Sequence, residues 1–238
     1  MTSSTILSND PSDQIAGVAL TLRTHPRARR MLLRFDDKRG GLTLTVPPRT
    51  SRRAALAWAA GQSAWVEIQL ARRPAALPLV PGAIIPLEGD DIRLEWVEGA
   101  SRTVFRSPGV LRCGGPREAF PARVEAWLKR FARDTLSTET AEFASKAGVK
   151  ITAVSVGDAD ARWGSCSAAG AIRYSWRLIL APPAARRFVV AHEVAHRVHM
   201  DHGAAFKRLE SELNGGGVIA ARGLLRRVGP VIRRVGRG

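Results

Sequence analysis

The sequence predicts an α+β fold in which a small β-rich N-terminal domain precedes a mixed domain of helices and strands. Short apolar stretches separated by Gly, Pro and acidic residues dominate residues 15–114, a pattern typical of strands and turns. A long amphipathic helical pattern begins after Gly114-Gly115-Pro116, which marks the domain boundary. The chain therefore divides into a polar leader (1–14), the β-rich domain, a second domain (115–213) and a basic C-terminal tail (214–238).

The N-terminal domain is predicted to begin with three strands, at residues 18–24, 31–35 and 42–46. A helical insert follows, from a cap at position 50 or 51 to position 73. Its large apolar side chains fall near one face of a continuous helix: Trp58, Trp65 and Ile68. Four further short strands are predicted at residues 84–85, 92–97, 104–105 and 110–111.

The second domain is predicted to start with an amphipathic helix over residues 117–147. Two strands, 151–156 and 172–180, then flank a Gly- and Ser-rich loop at 163–170. Pro182-Pro183 introduces an apolar helix that includes residues 188–196, since proline suits the first turn of a helix.

The chain of 238 residues is strongly basic, with a formal net charge of +16. Its apolar content of 45% and charged content of 24% are those of a globular protein, which argues against a disordered or fibrous chain. The positive excess lies at residues 1–60 and 181–238. The Arg-rich tail has two interpretations: a solvated, frayed end, or a basic amphipathic segment that contacts nucleic acid or an anionic surface.

The number of cysteines and the composition of the N-terminus predict in which cellular compartment the protein lies. Cys113 and Cys166 are too few for a disulfide scaffold, so we expect reduced thiols. The N-terminus lacks the charged and apolar regions of a signal peptide, and no run of 18 apolar residues occurs in the sequence. We therefore expect a cytoplasmic protein without a membrane span.

One motif carries catalytic chemistry: His192-Glu-Val-Ala-His196, an HExxH sequence within the apolar helix. Histidines four residues apart lie on one helical face, about 6 Å apart along the axis, so both imidazoles can bind one zinc ion. Glu193 lies beside them and can act as general base on a zinc-activated water, as in zinc peptidases. The composition gives roughly 0.005 chance occurrences of this motif, so the signal is specific.

A catalytic zinc needs a third protein ligand and an open position. His202 is the predicted ligand, provided that the helix ends near Met200-Asp201 and the chain turns back near Gly203. His199 lies too far along the helical face to share the ion. Glu210 and Glu212 remain alternatives, as ligands from a following helix.

Four segments together resemble the YgjP-like zinc metallopeptidase family, a zincin group related to SprT-like and Spartan-type proteases. They are Arg162-Trp-Gly-Ser-Cys-Ser167, Ile172-Arg-Tyr-Ser-Trp-Arg-Leu-Ile-Leu-Ala-Pro182, the HExxH motif, and His202-Gly-Ala-Ala-Phe206. The resemblance covers most of residues 40–210 and implies a zincin-like catalytic domain at 115–213. It also implies a zinc site built by His192, His196 and His202, with Glu193 as the base. Gly203 and Lys207 stand where the family pattern has Ser and Trp.

Residues near the Gly- and Ser-rich loop are predicted to line the cleft. In zincins an edge strand pairs with the substrate backbone, and we assign this role to the strand at 172–180. Arg162 and Tyr174 are candidates for stabilising the oxyanion, with an ion pair and core packing as their respective alternatives. Trp163 is a packing anchor or a substrate contact. Cys166 is a small buried loop residue, or else a soft zinc ligand or inhibitory thiolate.

The sequence thus predicts a zinc-dependent metallopeptidase, a hydrolase that acts on protein or peptide substrates through a zinc-activated water. The alternative is a DNA-associated SprT-like protease, or a nucleic-acid-binding protein with a mainly structural zinc, recruited through the basic termini. A third candidate is a regulatory protein whose zinc stabilises the fold without turnover, for which a closed four-ligand site is expected.

Overall fold

The computed structural model describes residues 5–8, 10, 13–36, 41–159 and 162–237. The chain forms two compact units. One spans Met1–Pro74 with Arg237–Gly238, and the other spans Ala75–Gly236. The described residues contain twelve strands and six α-helices.

The first unit is a mixed sheet followed by two helices. Its elements are β1 (Thr5–Ser8), β2 (Gln14–Ile15), β3 (Val18–Thr24), β4 (Leu32–Asp36), β5 (Gly41–Val46), α1 (Arg52–Ala60) and α2 (Ser63–Arg72). The strand order is β1-β3-β5-β4, with β2 also pairing with β3. Strand β1 corrects part of the predicted leader, because its backbone pairs antiparallel with β3. Positions 1–4, 9 and 11–12 of that leader lie outside the described residues.

The helical insert of this unit consists of two helices rather than one. Helix α1 ends at Gly61, and the break changes the helical phase before α2 begins. Trp65 and Ile68 are 39% and 50% exposed, so these two residues of the predicted apolar face lie outside the core, whereas Trp58 packs against it. The fully buried residues of the two helices are small or β-branched: Ala55, Ala59 and Val66. Larger side chains are partly buried and pack against the same core: Leu56, Trp58 and Leu70.

The second unit combines two sheets with four helices. The first part contains β6 (Ile84–Leu87), β7 (Asp90–Trp96), β8 (Phe105–Ser107), β9 (Val110–Cys113) and α3 (Phe120–Lys146). The second contains β10 (Ala153–Gly157), β11 (Gly164–Cys166), β12 (Ala171–Ser175), α4 (Pro183–Ala195), α5 (Ala204–Asn214) and α6 (Val218–Ile232). The strand orders are β6-β7-β9-β8 and β10-β12-β11. No helix in the described part of the chain is long and apolar enough to cross a membrane.

The sheet of β6 to β9 lies in the second unit because it shares that unit's core. Ile85, Leu94 and Leu111 belong to the same buried cluster as Phe120 and Val124 of α3. The predicted boundary at residue 114 falls inside this unit, between two parts of one core. The glycines there mark a turn into α3, which sequence alone does not distinguish from a linker.

The basic tail is folded, which corrects the interpretation of a frayed end. Helix α6 contributes apolar residues to the core of the second unit: Ala221, Leu225 and Ile232. After the helix, Val235 forms a parallel bridge with Leu77. The Leu77 N–H donates to the Arg234 carbonyl (3.1 Å), and the Gly236 N–H donates to the Leu77 carbonyl (2.8 Å). The first and last segments of this unit therefore lie side by side; residue 238 is outside the described residues.

Candidate metal centre

Helix α4 carries the HExxH motif in its C-terminal turns. Pro183 lies in the first turn, where its missing N–H costs nothing. The helix is held in the core by buried apolar side chains, which include Val190, Ala191, Val194 and Ala195. His192 and His196 lie on the half-buried remainder of its surface, with ring centroids 4.8 Å apart.

A tight reversal after α4 returns the chain to the two histidines. The helix ends at His196, several residues before the predicted end near Asp201, and the His199 N–H donates to the Ala195 carbonyl (2.9 Å). The Asp201 carboxylate then accepts a hydrogen bond from the Gly203 N–H (2.7 Å), and α5 begins at the next residue. The reversal brings the ring of His202 within 4.7 Å of that of His196, centroid to centroid.

Three imidazoles converge at this point. His192, His196 and His202 each offer a ring nitrogen, and these atoms lie within 4.8 Å of one another. The Nε2 atoms of His192 and His202 are 3.4 Å apart. Two ligands of a tetrahedral zinc with bonds of about 2.1 Å are separated by about 3.4 Å, so this donor set fits a zinc ion. The buried ring of Phe206 packs against all three imidazoles, with centroid distances of 4.6–5.1 Å.

The Nδ1 atoms of two of these histidines contact hydrogen-bond acceptors. His192 Nδ1 lies 2.7 Å from a carboxylate oxygen of Glu210, and His196 Nδ1 lies 3.2 Å from the His199 carbonyl oxygen. Donation from Nδ1 leaves the Nε2 lone pair of each ring available for a metal. Burial and the neighbouring His192 also lower the pKa of His196, which favours the neutral imidazole that a metal requires.

The Glu193 carboxylate lies against strand β11. It is only 5% exposed, and this burial raises its pKa to about 7, while the charge of Arg162 and a hydrogen bond from the Cys166 N–H act in the opposite direction. Gly164 leaves room for the carboxylate: a Cβ there would lie 2.5 Å from Glu193 Oε1 and 2.7 Å from Glu193 Cγ. A side chain at position 164 is therefore incompatible with the present position of Glu193.

Gly164→Ala is expected to lower hydrolysis of an unfolded protein by about 10²-fold, the cost of displacing a reacting group by about 1 Å. Metal content should be unchanged, because the substitution does not touch the histidines. The measurement is the initial rate of fragment formation together with metal content. Gly223→Ala on α6 is the control, since the nearest atom to its added Cβ is 3.7 Å away. Equal rates for the two variants would contradict the conclusion that a side chain at position 164 displaces Glu193.

The three histidines and Glu193 line a cavity of about 620 Å³. Trp163 and Arg162 line it near β11, while Arg222 and Leu225 contribute from α6. The Arg233 guanidinium lies 4.0 Å from the centroid of the Trp163 ring, which holds the indole against the C-terminal segment. The segment expected to be a tail thus forms one wall of the cavity.

The sequence profile of the YgjP-like metallopeptidase domain matches residues 29–216. The chain belongs to the YgjP-like family. The predicted family and the predicted enzyme class, a peptide-hydrolysing metalloenzyme, are confirmed at this level. Comparison with curated proteins gives no match. The crystal structure of the metallopeptidase zymogen of Pyrococcus abyssi abylysin matches 42% of this chain and 97% of its own, with 15% identity and a TM-score of 0.36, too low to support any statement about the site.

The YgjP-like domain brings some predicted cleft residues to the cavity and leaves Tyr174 outside its lining. Tyr174 is 1% exposed and its hydroxyl hydrogen-bonds that of Thr140 (3.0 Å), which supports core packing over an oxyanion contact. Trp163 packs against the core and also lines the cavity. Burial and the charge of Glu193 raise the pKa of the Cys166 thiol, which disfavours the thiolate that a soft ligand or a switch needs.

The predicted substrate-pairing strand is wrong in position. Strand β12 is central, with β10 on one side and β11 on the other, and residues Trp176–Leu180 form a 3₁₀ turn. Its backbone groups are therefore occupied. The edge strands are β10 and β11, and β11, which Glu193 contacts, lies inside the stretch predicted as a loop.

Sequence reasoning missed several residues that shape this YgjP-like site. Phe206 closes one of the segments that carry the family resemblance, but its packing against the three imidazoles was not predicted. The proximity of Gly164 to Glu193 depends on a strand the sequence did not predict. Glu210 was considered as a ligand, whereas its carboxylate contacts the Nδ1 side of His192; Glu212 is exposed and lines a different cavity.

Proposed function

We propose that this YgjP-like domain is a zinc-dependent peptidase that cleaves protein or peptide chains, with Glu193 as general base. The observation that carries the proposal is the convergence of three imidazoles beside a buried carboxylate at the wall of an open cavity. His192, His196 and His202 would hold the zinc. Bound zinc supplies a Lewis acid that polarises the scissile carbonyl and acidifies the attacking water.

Glu193 has the surroundings of a proton acceptor. Its raised pKa makes its carboxylate more basic than that of an exposed glutamate, which suits removal of a proton from water near neutral pH. The Cys166 N–H fixes its orientation. The same carboxyl group can then deliver the proton to the departing amine. The exposed guanidinium of Arg162 adds positive charge to the cavity, where negative charge develops on the carbonyl oxygen.

The edge of β11 is the proposed binding site for the substrate backbone. The Trp163 carbonyl accepts a hydrogen bond from the Ser175 N–H, and the Ser167 N–H donates to the Ala171 carbonyl. The alternating positions Gly164 and Cys166 therefore direct their backbone groups away from β12. The Cys166 N–H donates to the Glu193 carboxylate, so this edge lies beside the proposed base. An extended peptide added here would receive main-chain hydrogen bonds with little dependence on sequence.

Metal removal and restoration test the proposal. Protein stripped with a chelator and freed of it is expected not to cleave an unfolded protein substrate, and one equivalent of zinc should restore cleavage. Fragments are followed by mass spectrometry, and metal content is measured on the same samples. Cleavage that persists unchanged in metal-free protein would overturn the proposal.

The nucleic-acid alternative stays a sequence-based prediction, since no observation on the described residues supports it. Two arginines of the basic segment instead make contacts within the second unit: Arg222 with Glu210, and Arg233 with Trp163.

A further inference from the structure

We infer that Glu210 and Arg222 form a positioning pair that fixes the ring of His192 for metal binding and makes helix α6 part of the metal centre. The inference rests on the proposed metal site. Neither residue is a ligand in that site. Their role is to hold a ligand in one orientation and one tautomer.

The burial of Glu210 is the first observation. Its side chain is 3% exposed, and an isolated carboxylate at such depth is strongly unfavourable unless it is paired. One oxygen, Oε1, lies 2.7 Å from His192 Nδ1, and the other, Oε2, lies 3.4 Å from the Arg222 guanidinium. Each carboxylate oxygen of Glu210 thus has its own partner, and these two contacts account for the burial of the group.

The contact between His192 Nδ1 and Glu210 Oε1 determines the tautomer of His192. An ionised carboxylate can only accept, so the proton of a neutral imidazole must lie on Nδ1. The lone pair then lies on Nε2, the nitrogen that faces His202 at 3.4 Å. Because Glu210 contacts the opposite nitrogen of the ring, this geometry also argues against Glu210 as the third ligand. Carboxylates in this relation to a ligating histidine raise its basicity and fix its ring.

Arg222, on α6, contacts residues on both α5 and α4. Its guanidinium contacts Glu210 on α5 and lies 5.4 Å from the ring centroid of Phe188 on α4. Phe188 precedes His192 by one helical turn, and their ring centroids are 6.2 Å apart. The arginine therefore neutralises the buried charge while packing beside the metal helix. Its side chain is 52% exposed, so we expect its contribution to be smaller than that of Glu210.

Zinc affinity of the full chain, measured by competition with a chromogenic chelator, tests the pair. Glu210→Ala is expected to weaken zinc binding about 10- to 100-fold. Glu210→Gln keeps the size of the side chain and one acceptor atom but loses the charge. Its zinc affinity should therefore fall by about 10-fold, the lower end of that range. Arg222→Ala should cost about two- to fivefold, in the range of an exposed ion pair, with partial recovery in Arg222→Lys.

A spectroscopic readout separates positioning from general destabilisation. The visible absorption of the Co²⁺-substituted protein should change in both Glu210 variants, because the donor strength of His192 changes. Glu139→Gln is the matched control: Glu139 is also buried and paired, but with Arg186 at 2.8 Å instead of a histidine. This variant should lose stability while keeping its zinc affinity and its Co²⁺ spectrum.

The outcomes decide the inference separately from the peptidase proposal. Unchanged zinc affinity and an unchanged Co²⁺ spectrum in folded Glu210→Gln overturn the positioning role, as does an equal loss of affinity in Glu139→Gln. If Glu210→Ala does not fold, the isosteric Gln variant decides alone. Wild-type protein that binds zinc but cleaves nothing would overturn the peptidase proposal and leave the positioning pair standing.

Discussion

Glu193→Gln is expected to keep its zinc and to lose hydrolysis of an unfolded protein by about 10²- to 10⁴-fold, the contribution of a general base. The amide has nearly the shape of the carboxylate, so it fits the space left by Gly164 and can still accept the hydrogen bond from the Cys166 N–H. It cannot take a proton from water. Initial rates and metal content, measured on the same preparation, check both halves of the expectation.

The matched control for this substitution is Glu142→Gln on α3. Glu142 is a partly exposed carboxylate whose partners are Arg187 and Lys146, and it does not line the cavity. Its removal should leave the rate within about twofold of wild type, as for most surface substitutions. A Glu193→Gln variant that hydrolyses the substrate as fast as this control would refute the role of general base.

His202→Ala should cause the largest loss of metal. Only His192 and His196 would remain as ligands, so zinc affinity should fall by more than the roughly 100-fold that loss of an outer partner can cost. Activity should fall with it at sub-stoichiometric zinc. Competition with a chelator and elemental analysis of dialysed protein are the measurements.

His199→Ala provides the control for this loss. The group of His199 that contacts the site is its backbone carbonyl, which accepts from His196 Nδ1 and survives the substitution. This variant should retain stoichiometric zinc. If His202→Ala also retained it, the third ligand would have to be another residue, and a rearranged Glu210 would be the first to examine.

The part of the site carried by one helix could be predicted from sequence. A separation of four residues places two side chains on one helical face whatever surrounds them, and His192 and His196 are adjacent for that reason. The proposed third ligand depended on a turn, for which Gly203 gave a local signal. Contacts made by α6 had no such signal, because they join residues that only the tertiary fold brings together. Glu210 and Arg222 are twelve positions apart on two helices.

The wrong predictions about the fold have similar causes. A short edge strand such as β11 consists of Gly164, Ser165 and Cys166, which have no apolar alternation to reveal it. The phase of α2 was misjudged because the break at Gly61 is invisible to a periodicity that assumes a continuous helix. The boundary at 114 was misplaced because a Gly-Gly-Pro turn can lie within a core as easily as between cores.

The bridge between Leu77 and Val235 bears on how the second unit could be re-engineered. Since the segments at its two ends are hydrogen-bonded neighbours, a short linker could join them without disturbing this bridge. The chain could then be reopened at the exposed turn around Gly109, between β8 and β9. Such a circular permutant would carry the HExxH motif and helix α6 in the middle of the polypeptide, far from either terminus.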